Sequence, residues 1–147
     1  MKKIQIESYL LVLVQFLCLV GFLYLSFEKT LAGPAIILFL VGSVLFIWAR
    51  HEMGRNNFRV IPIPKASAQL VTSGPYKAIR HPMYAAVLLA MLGVAININT
   101  WLGFAVWIVL FTDLIIKMRF EEKFLLQKFP EYKDYMKRTK RLVPWIW

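Results

Sequence analysis

The sequence predicts an all-α integral membrane protein with four transmembrane helices and a cytoplasmic amphipathic C-terminal helix. Charge placement is the main reason: twenty uncharged residues follow Glu7, and twenty more separate Lys29 from Arg50. A third run, residues 81–112, holds no Asp, Glu, Lys or Arg and is interrupted by the polar turn 97–100. Since a helix rises about 1.5 Å per residue, about 20 apolar residues cross the hydrocarbon core of a bilayer. A composition of 59% hydrophobic and 18% charged residues fits the same class.

The predicted crossings cover about residues 8–27, 31–49, 81–98 and 100–117. The third and fourth are short, so they rely on flanking residues to reach the headgroups. The whole chain, residues 1–147, is expected to form one domain, with a cytoplasmic loop at 50–80 and a cytoplasmic tail at 118–147. We expect the first helix to be retained, because its apolar run is long for a signal peptide and no small-x-small cleavage site follows it.

The basic residues predict the orientation of the helices. Of the 18 Lys and Arg residues, two precede the first crossing, six lie between the second and third, and nine lie from Lys117 onward. The positive-inside rule therefore predicts that both termini and the loop 50–80 are cytoplasmic. The net charge of +10 then reflects topology and attraction to anionic membrane lipids rather than binding to nucleic acid.

The residues that commonly bind metals are few. Cys18 is the single cysteine, which excludes an intrachain disulfide, and the two histidines are His51 and His81. The sequence HEMGR around His51 does not match the zinc motif HExxH. No metal site is therefore predicted.

The tail after the fourth crossing alternates apolar and charged residues at helical spacing. Phe120, Phe124 and Phe129 recur with charged residues between them, which is typical of an amphipathic helix continuing into the cytoplasm. Pro130 is predicted to end that helix and open another, in which Asp134 and Arg138 form an i,i+4 pair. The chain closes on PWIW, aromatic residues suited to the headgroup level.

The stretch SGPYKAIRHPMYAAVLLAMLGVAI (73–96) allows two interpretations. In the structural one, Pro82 occupies the first position of a helix, His81 caps it, and Arg80 extends toward lipid phosphates. In the chemical one, the same residues, with the two tyrosines Tyr76 and Tyr84, form the floor of a binding site. The residues of this stretch alone leave both open.

The order of motifs favours the chemical interpretation. LVTSGPYKAIRHPMY (70–84) is followed by EEKFLLQKFPEYKDY (121–135) and then by LVP. This arrangement resembles the isoprenylcysteine carboxyl methyltransferase family and its phospholipid N-methyltransferase relatives, over about residues 68–144. The resemblance implies a membrane-embedded methyltransferase that uses S-adenosyl-L-methionine and a lipophilic acceptor from the bilayer.

The resemblance also implies a set of site residues. By position, the implied cofactor contacts are Gln69, Leu70, Val71, Tyr76, His81, Pro82, Met83, Tyr84 and Glu121. A substrate-contacting Arg of the family falls at Lys117, with Arg119 close by, so these two are the catalytic candidates. The pocket expected from this chemistry uses His81 and Arg80 for the cofactor carboxylate, Glu121 for its ribose or ammonium, and apolar side chains for its adenine.

Several positions depart from the family pattern or have ordinary structural explanations. Pro130 stands where Gly is usual, and Lys117 in place of Arg lacks the bidentate guanidinium fork. Glu121 lies four residues after Lys117, and Glu122 three after Arg119, so both acids fit surface ion pairs. Asp113 sits near the cytoplasmic end of the fourth crossing with Lys117 one turn away, and its role and that of Glu122 stay open.

Two other functions compete with methyl transfer. Membrane sterol and steroid reductases also resemble this chain in R-H-P-x-Y and in an aromatic-proline ending, and they would need cations for NADPH where the tail places Glu121 and Glu122. A small four-helix scaffold would explain the basic face but not the two motifs in register. The sequence leaves open the acceptor (carboxylate, amine or thiol), while the short third and fourth helices make a homodimer plausible.

Overall fold

The computed structural model describes residues 2–144, with side chains from residue 5 onward. This part of the chain contains five α-helices and a short 3₁₀ helix: α1 (Lys2–Ser26), α2 (Pro34–Asn57), the 3₁₀ helix (Gly74–Lys77), α3 (Pro82–Ile98), α4 (Trp101–Lys128) and α5 (Tyr132–Arg138). The predicted all-α class is confirmed. The aromatic ending lies mostly in residues 145–147, outside the described residues.

Three of these helices are long and apolar enough to cross a membrane. They span Gln5–Ser26, Pro34–Asn57 and Trp101–Lys128. The fourth apolar helix, α3, has 17 residues and would reach about 25 Å at 1.5 Å per residue. That is less than the ~30 Å hydrocarbon core, so the predicted count of four crossings stays a prediction.

The second helix departs from its predicted end, whereas the fourth helix extends beyond its crossing as expected. The second helix continues to Asn57 instead of ending near residue 49, although Gly54 interrupts it with φ 68° and ψ 170°, a conformation that favours glycine. The fourth helix runs on to Lys128, because the apolar face of the tail extends the membrane helix without a break. At the opposite end of the bundle, the polar turn ends α3 at Asn99 in the left-handed conformation, and Thr100 caps α4 by accepting a hydrogen bond from Gly103 N.

Helices α2 and α3 approach each other closely through small residues. A Cβ atom added to Gly42 would lie 2.7 Å from the carbonyl oxygen of Ala86, and one added to Gly93 would lie 2.6 Å from that of Ala35. Neither position has room for a side chain. Small residues at such contacts are characteristic of helix pairs in membranes, where close packing replaces the hydrophobic effect between helices.

Helix α1 packs on the other side, against α4 and α3. Between them lies an apolar core that includes Phe22, Leu88 and Leu110. The indole N–H of Trp107 on α4 donates to the carbonyl oxygen of Leu88 on α3 at 2.9 Å. The outer faces of the helices carry exposed large apolar residues such as Leu23, which suits contact with lipid.

The tail folds back onto the start of α3. Arg80 N donates to the carbonyl oxygen of Lys140 at 2.7 Å, and His81 N donates to that of Arg141 at 3.1 Å. We call residues 139–142 the C-terminal strap. In α5, Asp134 pairs with Lys137 at 2.8 Å, so the predicted Asp134–Arg138 pair is wrong; i,i+3 spacing supplied the nearer cation.

Candidate functional site

A cavity of about 280 Å³ opens where α3 begins. Segments distant in sequence enclose it: α1, the end of α2, the loop 58–71, the start of α3, the second half of α4, and α5. Its volume is close to the lower end of the ~300–1,000 Å³ range of ligand sites. Apolar side chains predominate in its wall, and a few charged groups converge on it. A cavity of this kind suits an amphipathic ligand.

The loop 58–71 forms one wall and is attached to α2 and to α4. Gln69 N donates to Asn57 Oδ1 at 2.8 Å. From α4, Lys128 Nζ donates to the carbonyl oxygens of Lys65 and, at 2.9 Å, Ala66. These contacts hold the apolar residues of the loop, Leu70 among them, against the cavity.

The floor is the 3₁₀ helix that precedes α3. Gly74 begins it with φ 54°, a left-handed backbone angle that favours glycine, and a Cβ there would displace the side chain of Glu52, which lies 2.5 Å away. Tyr76 is buried beneath the cavity, and its carbonyl oxygen accepts a 2.7 Å hydrogen bond from the Tyr135 hydroxyl. This hydrogen bond joins the 3₁₀ helix to α5.

Glu121 reaches the cavity from α4. Its Oε2 accepts a 2.9 Å hydrogen bond from the Tyr84 hydroxyl and lies 3.8 Å from His81 Nδ1. The rings of His81 and Tyr84 stack with centroids 5.5 Å apart. Glu121 does not form an i,i+4 surface pair with Lys117; it belongs to a polar cluster with two residues of the R-H-P-x-Y motif.

Glu122 has a different environment, beside the cavity rather than in its wall. Its carboxylate accepts from Arg80 Nε at 2.9 Å and from Arg141 Nη2 at 3.0 Å, and His81 Nε2 lies 3.4 Å away. The possible pair with Arg119 is therefore not made, because Glu122 faces inward and is buried while Arg119 is exposed. Glu122 joins α4 to the start of α3 and to the C-terminal strap.

Arg80, which was expected to meet a cofactor carboxylate, lines the cavity and also has partners within the protein. Besides Glu122, its guanidinium donates to the carbonyl oxygens of Met136 and Thr139. The backbone N–H groups of Arg80 and His81 are taken by the strap. The Nε and Nη1 donors of Arg80 and these two backbone donors are thus engaged within the protein, which gives Arg80 a structural role beside the cavity.

Lys117 lies in the cavity wall where α4 meets α1 and is 1% exposed. Its ammonium donates a hydrogen bond to Gln15 Oε1 on α1 and lies 5.8 Å from the centroid of the Tyr84 ring. Asp113, one turn earlier on α4, is buried, and neither of its carboxylate oxygens has a hydrogen-bond partner. The expected pairing of Asp113 with Lys117 is not formed as a hydrogen bond.

Two buried hydroxyls in the cavity wall lack hydrogen-bond partners, those of Tyr76 and Tyr132. Buried polar groups are almost always hydrogen-bonded, so these two hydroxyls can donate hydrogen bonds to a ligand in the cavity. Burial, reinforced by nearby acids including Glu121, raises the pKa of both phenols. Both therefore stay protonated at neutral pH and are available as donors.

Most residues expected from the sequence do converge on the cavity. Those in its wall are Gln69, Leu70, Val71, Tyr76, His81, Met83, Tyr84, Lys117 and Glu121. Pro82 is buried at the first turn of α3 and Arg119 is exposed; neither lines the cavity. Sequence reasoning missed Gln15, Arg59 and Tyr132. The sequence offered one indication of Gln15: a polar residue within an otherwise apolar stretch of helix.

Fold and site together define a small helical protein of the membrane-spanning type, with a ligand cavity at one end of its bundle. A family model described as phospholipid methyltransferase matches residues 29–132. The chain belongs to this family, which points to methyltransferase activity at a membrane. The resemblance read from the two motifs is confirmed.

Two curated relatives are similar to part of the chain. The cobalt-zinc-cadmium resistance protein CzcN of Cupriavidus metallidurans is 38% identical over 76 residues, 51% of this chain and 35% of the relative. The nickel-cobalt-cadmium resistance protein NccN of Alcaligenes xylosoxydans xylosoxydans is 31% identical over 81 residues, 54% of this chain and 38% of the relative. The chain thus spans well under half the length of either relative.

Proposed function

We propose that this protein transfers a methyl group from S-adenosyl-L-methionine to a lipophilic acceptor at the cytoplasmic face of a membrane. The observation that carries the proposal is the convergence of both family motifs on one cavity: Tyr84 of R-H-P-x-Y donates directly to Glu121 of the E-E motif. A scaffold protein has no need of such a cluster beside an open cavity.

The side chains of the cavity fit this cofactor. The unpartnered Tyr76 and Tyr132 hydroxyls offer donors to its polar groups, and Glu121 offers an acceptor to ribose hydroxyls or to the ammonium. Leu70 and Met83 supply apolar surface of the kind an adenine ring requires. An aromatic face near a sulfonium adds about 0.5–2 kcal/mol of cation–π attraction.

When bound, S-adenosyl-L-methionine supplies an electrophilic methyl group. The chain's own residues contribute binding, alignment and exclusion of water, which is where most of the rate of an in-line displacement arises. The loop 58–71, held by Lys128, shields the cavity from the aqueous side. Lys117 shares the cavity wall with Phe16 of α1 and Phe46 of α2, whose apolar side chains suit the hydrocarbon chain of an acceptor from the bilayer.

The orientation proposed for the chain follows from its charges. The loop 58–71 and α5 line the cavity, and both segments carry basic residues. The positive-inside rule assigns this end to the cytoplasm, where S-adenosyl-L-methionine is made. The acceptor would then come from the bilayer and the cofactor from the cytoplasm.

The test is methyl incorporation. Purified protein is placed in vesicles containing phosphatidylethanolamine and hexadecanoic acid, which offer an amine and a carboxylate, and receives cofactor tritiated on its methyl group. We expect label in the lipid extract, lost by at least 10-fold in Glu121→Gln and retained in Glu131→Gln, an exposed glutamate that serves as the matched control. Oxidation of NADPH without methyl incorporation would instead support a reductase, and inactivity in both assays would support a scaffold.

A further inference from the structure

A second groove lies on α2, near the point where this helix passes into the loop 58–71. The residues that line it are Phe46, Ile47, Arg50, His51, Gly54 and Arg55. Their spacing places them in two adjacent columns, 46–50–54 and 47–51–55, because side chains four residues apart are neighbours on a helix. Gly54 has no side chain, and a Cβ added there would meet no described atom within 4 Å. The first column therefore ends in open space beside Arg55.

The groove is basic. Among the described residues that line it, two are arginines, one is a histidine and none is acidic. Glu52, an acid of the same helix, does not line the groove: its carboxylate accepts a hydrogen bond from the Ser73 hydroxyl, and its side chain lies against Gly74. An anion in the groove would therefore meet cations without a competing carboxylate in the groove wall.

The Arg50 guanidinium is already oriented. Its Nη1 donates a 3.2 Å hydrogen bond to the carbonyl oxygen of Gly54, and its central carbon lies 4.4 Å from the centroid of the Phe58 ring. A guanidinium has five N–H donors in a planar fork that matches phosphate oxygens, so one hydrogen bond leaves most of them for a ligand. A side chain held in place beforehand loses less conformational entropy when it binds.

The position of the groove along α2 matches the headgroup level of a bilayer. At 1.5 Å per residue, Arg50 and Arg55 lie about 24 and 32 Å from Pro34 along the helix, and a hydrocarbon core is about 30 Å thick. Phe46 and Ile47 precede them in the apolar part of the helix, and Ile47 is 68% exposed. Cations at this level, next to an exposed apolar surface, suit a lipid phosphate and its acyl chains.

We propose that this groove binds an anionic phospholipid, whose phosphate lies between Arg50 and Arg55 and whose acyl chains contact Phe46 and Ile47. His51 lines the same groove and has a ring N–H that can donate to the headgroup. Such a site differs from the general attraction of a basic surface to anionic lipid, because it depends on particular side chains. It lies outside the cavity and does not depend on the proposed methyl transfer.

A lipid bound here would also steady the wall of the cavity. Phe58, which contacts Arg50, lines the cavity and begins the loop that forms this wall, and Phe46 lines both the groove and the cavity. The end of α2 holds the same loop, because the carbonyl oxygen of Arg55 accepts a hydrogen bond from Lys65 Nζ at 3.1 Å. Fixing Arg50 and Arg55 should therefore reduce local opening of the loop.

Calorimetry of the protein in an uncharged detergent tests the site with three probes: dioctanoyl phosphatidylglycerol, dioctanoyl phosphatidylcholine and inorganic phosphate. The first carries a net negative charge and acyl chains, the second has the chains without the net charge, and the third is the anion alone. We expect saturable binding of phosphatidylglycerol, at least about 10-fold tighter than that of either other probe. Arg50→Gln and Arg55→Gln should each weaken it about 10-fold, because each removes charge-assisted hydrogen bonds to the phosphate.

Arg138→Gln is the matched control, because it removes an exposed arginine of α5 that does not line the groove. It lowers the net charge by the same amount as Arg55→Gln, so it reports general attraction to a negatively charged micelle. The affinity for phosphatidylglycerol should stay within about 2-fold of the wild type.

Hydrogen exchange gives a second readout, at the loop. The Gln69 amide donates to Asn57 Oδ1 and so reports whether the loop is held against the end of α2. Phosphatidylglycerol should slow its exchange at least about 3-fold in the wild type and in Arg138→Gln, whereas phosphatidylcholine should not.

Equal affinities for phosphatidylglycerol and phosphatidylcholine, no binding of phosphatidylglycerol, or equal weakening by Arg55→Gln and Arg138→Gln would overturn the lipid site. Inorganic phosphate bound as tightly as phosphatidylglycerol would overturn the role of the acyl chains and leave a site for free anions. Binding that leaves exchange at Gln69 unchanged would overturn the link to the cavity wall. Only variants whose thermal transition matches that of the wild type are compared. Because no cofactor is added, failure of the proposed methyl transfer would not change these results.

Discussion

Replacing Glu122 by Ala should destabilise the protein strongly. Its carboxylate receives three hydrogen bonds of 2.9–3.1 Å from Arg80 and Arg141. The Arg80 side chain is 8% exposed, so the substitution leaves a buried guanidinium without its counter-charge. Removing one partner of a buried ion pair costs about 3–5 kcal/mol. Arg141 adds less, because its side chain is 28% exposed and water screens its charge.

Glu122→Gln gives a graded comparison. Gln keeps one acceptor oxygen but lacks the charge, so we expect the free energy of unfolding to fall by about 1–3 kcal/mol. Thermal unfolding in detergent, followed by tryptophan fluorescence, should resolve both changes. At about 2–4 °C per kcal/mol for a chain near this size, Glu122→Ala should lower Tm by about 6–20 °C. Glu131→Ala, at an exposed glutamate, is the control and should lower it by less than about 2 °C.

A second readout locates the damage. The amides of Arg80, His81 and Lys140 bond the C-terminal strap to the start of α3, and their hydrogen exchange should accelerate in Glu122→Ala. The reasoning would be refuted if Glu122→Ala melted within 2 °C of the control, or if exchange at these amides stayed at the wild-type rate.

Three further variants test the packing, the floor and the wall of the site. Gly42→Leu should prevent α2 from docking on α3 and cost at least about 1–3 kcal/mol in thermal unfolding, because no space exists for a side chain. Tyr135→Phe should lower the free energy of unfolding by about 1 kcal/mol, because it removes a buried hydrogen bond. Tyr132→Phe should change the free energy of unfolding little, since the Tyr132 hydroxyl has no hydrogen-bond partner. It should nevertheless weaken the binding of S-adenosylhomocysteine measured by calorimetry. Lys128→Met should release the loop 58–71, seen as faster proteolysis within that loop at unchanged Tm.

Matched substitutions accompany these variants. Val44→Leu enlarges an exposed position on α2 and should leave Tm unchanged, and Lys133→Met removes an exposed lysine on α5 without touching the loop. The packing argument fails if Gly42→Leu is as stable as Val44→Leu. Proteolysis equal to that of Lys133→Met would show that Lys128 does not hold the loop.

The helices were predictable because charge is so costly in a bilayer that its absence marks each apolar helix. The ends of the helices were less predictable. Helix α2 continues past Arg50 to Asn57, since an amphipathic turn can extend a helix beyond its apolar run. Gly54 then interrupts its last turns, a detail that no periodicity revealed. The loop residue Leu70 and the R-H-P-x-Y residues were found because their motif is local and ordered.

The partners of the charged residues were not predictable in the same way. Spacing along α4 suggested Arg119 for Glu122, but the observed partners, Arg80 and Arg141, lie 42 and 19 positions away. Gln15 meets Lys117 across 102 positions. Such contacts depend on how helices pack, and a single sequence reports helical faces rather than the neighbour that each face meets.

The central claim is that the cavity between the two motifs binds S-adenosyl-L-methionine. Calorimetric titration of the detergent-purified protein with S-adenosylhomocysteine tests it most directly, with NADPH titrated in parallel. The account predicts saturable micromolar binding of S-adenosylhomocysteine, at least 10-fold weaker in Glu121→Gln and unchanged in Glu131→Gln. Binding of NADPH instead, or no binding of either to a sample with a sharp thermal transition, would contradict it.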